Sequence, residues 1–159
     1  MFVKKIWATN FTVRERIYTR SYEIMTVSFR PYNLPREFRQ VTVILVYVPG
    51  PDNAQAAERI SECYNRAISR LVEQAVFVLG DFNMCDITGV LPSLHQSVSC
   101  PTRLDRFFDL CYSNIPEVFQ SLCRPPLGRS DHNVVHLLPK YRQRPKQEKP
   151  RIQRVCAGP

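Results

Sequence analysis

Hydrophobic and polar positions divide this chain into segments of two periods. From Ser21 to Arg30 the pattern alternates, with Tyr22 and Ile24 on one side and Met25, Val27 and Phe29 on the other, as expected for a half-buried strand. Pro31, Asn33 and Pro35 interrupt it, and Val41 to Tyr47 then forms the strongest β signal in the chain, rich in β-branched residues. That run stops at Pro49-Gly50-Pro51, which no strand interior tolerates. A helical period follows. Ala54, Ala57, Ile60, Tyr64, Ala67, Ile68 and Leu71 recur at intervals of mostly three or four, with Arg59, Glu62, Arg66, Arg70 and Glu73 opposite. Asp52 or Asn53 is placed to cap its start. Ala75 to Leu79 is uniformly apolar and reads as a short strand buried on both faces, so that strand, helix and strand form a crossover unit.

Later segments are less regular. Gly80 is expected to end the buried strand and turn the chain, placing Asp81 and Asn83 just past its carboxyl end, where open α/β sheets carry their chemistry. The same residues also suit an ordinary turn. Phe107 to Tyr112 and Val134 to Leu138 read as strands, the first with Asp109 inside an apolar run, where a carboxylate needs a partner. Asn114 to Arg129 reads as mostly loop, and residues 1–20 show no clean period.

Composition narrows the class. A chain of 159 residues with 44% hydrophobic positions is one domain with enough material for a core, and no run approaches the ~20 apolar residues of a membrane span. The amino terminus lacks the apolar core of a signal peptide, so an intracellular, reducing compartment is expected, with the six cysteines as free thiols. No two of them have zinc-ligand spacing. Most of the net +8 lies between Lys140 and Arg154, with seven basic residues against the single acid Glu148. Residues 142–159 therefore read as a basic, Pro-containing tail, either a nucleic-acid-attracting arm or a solvated linker.

Two polar clusters about fifty residues apart carry a resemblance. Gly80-Asp81-Phe82-Asn83 and Ser130-Asp131-His132 are similar to the G-D-F-N and S-D-H motifs of the endonuclease/exonuclease/phosphatase superfamily, and Leu45-Val46-Tyr47-Val48-Pro49 resembles its N-x-Y-x-P strand end. Residues 25–38, 99–103 and 108–115 resemble most the endonuclease domain of LINE-type (non-LTR) retrotransposons. The resemblance implies an α/β fold, part of a four-layer α/β/β/α sandwich over residues 1–141. It also implies Mg²⁺- or Mn²⁺-dependent cleavage of DNA phosphodiesters, with a reverse transcriptase domain following in the complete element. His132 would act at the scissile phosphate. Asp131 would orient His132 or bind the metal, Asp81 would activate water, Asn83 would hold a phosphate oxygen, and Tyr47 would donate to the phosphate. Asp109 would support the site from below, and Thr102 with Arg103 would contact the nucleic acid. The superfamily's metal-binding glutamate precedes the matched region, and Glu15 and Glu23 do not stand in that motif. A chain truncated in this way is expected to cleave weakly or not at all. A non-catalytic nucleic-acid-binding remnant and a phosphatase of the same superfamily are the alternatives.

Overall fold

The alternating and apolar runs between Glu23 and Asp81 build the middle of a six-stranded sheet. In the computed structural model, which describes residues 1, 4, 6–50 and 54–140, Glu23–Pro31 (β2) and Gln40–Tyr47 (β3) pair antiparallel without a break from Glu23↔Tyr47 to Phe29↔Val41. Ala54–Arg70 (α1) returns the chain so that Gln74–Asp81 (β4) lies parallel to β3. A parallel neighbour requires such a crossover, and the helix supplies it. Ala8–Tyr18 (β1) pairs antiparallel with β2 at one edge; at the other, Asp109–Ser113 (β6) pairs antiparallel with β4 and carries the two-residue strand His95–Gln96 (β5). The order is β1-β2-β3-β4-β6-β5, and Phe119–Arg124 (β7) with Val134–Pro139 (β8) forms a separate two-stranded ribbon.

Side chains alternate across each strand, and both faces of the central strands are covered. Ile24, Ile44, Val46, Val76 and Val78 pack beneath Ala56, Ala57, Ile60 and Cys63 of α1, with Phe82 fully buried among them. On the opposite face Val27, Phe29, Val41, Val43 and Ala75 are buried with Ile115 and Val118, and Phe77 meets Phe119 of the ribbon at 5.3 Å between ring centroids. Double-sided burial explains why β3 and β4 read as nearly continuous apolar runs.

The structure corrects the expected fold class. A four-layer α/β/β/α sandwich needs two full sheets and a helical layer on each outer side. Among the described residues there is one six-stranded sheet, one two-stranded ribbon and one helix, and the chain is mostly β. The physical reason lies in the apolar period, which runs at helical spacing only once, so only one face of the sheet receives a helix. Three local expectations are also revised. Gly80 lies within β4, which runs on to Asp81. Residues 8–18 are a strand; they lacked a clear period because β1 is a mostly exposed edge with two register shifts. Phe119–Arg124 is a strand where a loop was expected. The proposed cap at Asp52 or Asn53 and the basic tail at 142–159 lie outside the described residues. No described helix is long and apolar enough to cross a membrane.

Candidate functional site

Cross-strand register brings the polar strand ends into one row. Glu23 pairs with Tyr47, Tyr47 with Asp81, and Asp81 with Asp109. Directly paired residues project to the same face of a sheet, so these four share the face opposite α1. Phe82, the next residue after Asp81, points the other way into the helix-side core, and its N–H donates to the Phe108 carbonyl at 2.8 Å. The motif therefore splits by alternation into one buried aromatic and two outward polar groups.

The turn after β4 is held from several sides. Asn83 adopts φ 47°, a left-handed conformation that asparagine tolerates better than most residues. Its N–H donates to Asp81 Oδ1 at 3.0 Å, and its side-chain amide donates to the Val48 carbonyl at 2.7 Å. The Val48 N–H donates in turn to the Asp81 carbonyl at 2.9 Å. The exits of β3 and β4 are thus tied together, and the Asp81 carboxylate is oriented by its own Asx turn.

His132 arrives from a distant part of the chain. Thr102 is fully buried, and its hydroxyl oxygen accepts from the N–H groups of Phe108 and Asp109, both at 3.0 Å. The Thr102 carbonyl accepts from the Asn133 N–H at 2.6 Å, and the Asn133 side chain donates to the Pro101 carbonyl at 3.2 Å. These bonds dock the segment before β8 beside the start of β6. The result is a 2.7 Å contact between His132 Nδ1 and Asp109 Oδ2. Asp81, Asp109 and His132 each offer a ligand atom, and those atoms all lie within 4.8 Å of one another, a spacing that could hold a metal ion. Burial raises the pKa of Asp81 above the ordinary carboxylate value. The Asn83 N–H opposes that shift, the Asp109 carboxylate adds to it, and His132 and Arg103 pull it back.

The expected site residues fall into three groups. Asp81, Asp109 and His132 come together. Tyr47 stands beside Asp81 in register, 45% exposed, and Asn83 acts on the turn itself. Asp131 and Thr102 are placed otherwise. The Asp131 carboxylate pairs with Arg103 at 2.6 Å in an exposed contact and lies outside the three-residue cluster, so Asp109, and not Asp131, orients the imidazole. Thr102 exposes no surface for a nucleic acid and serves as a clamp between loop and strand. Arg103 is accessible, although its charge is shared with Asp131. Glu15 faces the helix side and binds Arg66, whereas Glu23 is in the polar row but two strands from Asp81.

Sequence reasoning missed one staple of this region. Cys100 and Cys123 form a disulfide with 6.2 Å between their Cα atoms, joining the loop before Thr102 to β7. The expectation that all the thiols are free is corrected accordingly. The two cysteines are 23 residues apart with no motif linking them, so no local signal marked the pair. Ser99 reinforces the junction through its N–H and hydroxyl, both 2.8 Å from Ser121 Oγ. Cys63, Cys85 and Cys111 are buried and form no disulfide, and burial pushes their thiols up to about 11, 11 and 12. None has the lowered pKa of a reactive cysteine. No model of a known protein family matches the chain, and no curated protein matches it.

Proposed function

We propose that this domain is by lineage a metal-dependent phosphodiester hydrolase acting on DNA, an endonuclease of the LINE retroelement type, whose cleavage as this chain is weak because Glu15 and Glu23 do not replace the superfamily's metal-binding glutamate. The observation that supports it is the Asp81, Asp109 and His132 cluster at the ends of β4 and β6. The two carboxylates suit Mg²⁺ or Mn²⁺, with Asp81 and Asp109 as the oxygen ligands, and the imidazole is left for proton transfer. Two close carboxylates, one of them with a raised pKa, form a place where a cation is favoured. A bound cation would neutralise charge on the phosphoryl oxygens.

The chain's own groups supply the rest. With Nδ1 held by Asp109, His132 presents Nε2 for proton transfer at the attacking water or a phosphoryl oxygen, and Asp109 stabilises the imidazolium that results. Asp81, held by Asn83, accepts a hydrogen bond from the water and orients it. Tyr47, exposed beside Asp81, donates to the phosphate. Arg106, exposed on the turn that follows Thr102, adds positive charge near the path of the polyanion, beside Arg103 in its pair with Asp131.

Supercoiled-plasmid nicking tests this reading, with Mn²⁺ or Mg²⁺ added or chelated, for the wild type, Asp81→Asn and His132→Ala. Cation-dependent nicking that falls by about 100-fold or more in each variant is expected, in line with the loss of a positioned acid–base group. Nicking that survives chelation, or that both variants retain, overturns it. DNA binding without nicking in any version assigns the non-catalytic reading instead.

A further inference from the structure

A cavity of about 340 Å³ lies on the other side of the sheet from the Asp81 row, between the C-terminal half of α1 and strands β1 to β3. Interfaces between a helix and a sheet are normally apolar. This one is lined by Thr26, Ser28 and Thr42 and by Arg14, Arg66 and Arg70. Arg14 owes its place to irregular pairing, since the register of β1 against β2 shifts between Val13 and Glu15. Shifts of this kind re-aim a side chain.

The charges around the cavity do not cancel. Glu15 also lines it, but Arg66 Nη2 donates to both of its oxygens, at 3.0 and 2.9 Å, and Arg59 approaches to 3.6 Å. Arg59 and Arg66 reach Glu62 as well, so two acids and two bases balance. Arg14 and Arg70 have no ion pair among the described residues and leave a positive surplus at the rim. The negative end of the helix is quenched, because Gln74 Nε2 donates to the Ala67 and Leu71 carbonyls, each at 2.6 Å.

The floor holds one unpartnered group. Thr42 donates to Gln74 Oε1 at 2.6 Å and lies 3.0 Å from Ser28 Oγ, so those hydroxyls are satisfied. Thr26 is 4% exposed, and its Oγ1 is the one buried side-chain polar atom among the described residues without a hydrogen-bond partner. Native proteins rarely leave such an atom unpaired. A hydroxyl kept there against that cost, in a cavity that Arg14 and Arg70 also line, is arranged to meet an anion.

We infer that this cavity binds a small phosphate monoester as its dianion. Arg14 and Arg70 hold the phosphoryl oxygens by charge-assisted hydrogen bonds, and the Thr26 hydroxyl donates to one of them. The volume falls at the lower end of the range for small-molecule sites, which leaves room for a hydroxylated body of a few carbons beside Ser28 and Gln40. The site is separated from the Asp81 cluster by the sheet and does not depend on the hydrolase reading.

Isothermal titration of the full chain with inorganic phosphate and glycerol 3-phosphate, with glycerol as the neutral control, tests the site. Saturable binding of both anions and none of glycerol is expected, with affinity falling about tenfold or more in Arg14→Ala and in Arg70→Ala. Thr26→Val gives a sharper signature. It should weaken the anion about tenfold while raising the melting temperature of the free protein, because it removes a hydroxyl that has no partner until the ligand arrives. A merely structural Thr26 would not weaken binding. Absence of saturable binding at millimolar anion, or affinity unchanged in all three variants, overturns the inference.

Discussion

Thr102 and Asp109 show how single side chains set the geometry of the candidate centre. The Thr102 hydroxyl accepts from two successive backbone N–H groups with no exposure to water. Valine has nearly the same shape but cannot accept, so Thr102→Val strands both donors at the point where β6 begins. Each stranded buried donor costs roughly 1–3 kcal/mol. We expect Thr102→Val to lose about 2–6 kcal/mol in urea denaturation, whereas Thr102→Ser should keep most of the stability. A loss no larger than that of a surface substitution would show that the clamp is not structural. For Asp109, sequence reasoning required a partner for a carboxylate in an apolar run, and His132 is that partner. The neighbour of His132 in sequence, Asp131, is turned instead toward Arg103. The resemblance offered Asp131 for that role, but the Ser130 turn, where the His132 N–H donates to Ser130 Oγ at 3.1 Å, separates the directions of the two consecutive side chains.

Among the elements, β4 bears most of the consequences of local sequence. It receives the helix crossover, pairs with β3 and β6, and ends in Asp81. Its glycine is required by contact with its neighbour. Gly80 has φ 146°, and a Cβ built there would lie 1.9 Å from the Val46 carbonyl oxygen. Backbone cannot yield as the end of a long side chain can. Gly80→Ala is therefore expected to cost about 4 kcal/mol or more, or to prevent folding. Gly89→Ala, where nothing lies within 4 Å, should leave the thermal transition seen by circular dichroism near that of the wild type. Equal melting of the two variants would contradict this account. The glycine was legible in the sequence as a special backbone position. Its role as a close approach between two strands was not, because that depends on the register Val46↔Gly80.

At the scale of the whole molecule, the Cys100–Cys123 bridge ties the ribbon to the loop that precedes Thr102, beside the segment that brings His132 to the candidate site. Closing a loop of this length contributes roughly 3 kcal/mol through the unfolded chain. Reductant is expected to lower the urea midpoint accordingly, and denatured protein should take two fewer iodoacetamide adducts without reductant than with it. Equal labelling would show that the bridge does not form. Local pattern alone determined β2, β3, α1 and β4, together with the placement of Asp81 and Tyr47 at strand ends, because a period of two or 3.6 is written in consecutive residues and each of these elements buries a face. Tertiary structure alone decided the number of layers, the strand at the exposed edge, the pairing of Cys100 with Cys123, and the meeting of Asp109 with His132. Those outcomes rest on contacts between residues far apart in sequence, whose partners are selected by the packing of the completed sheet, and no short window of the chain contains both members.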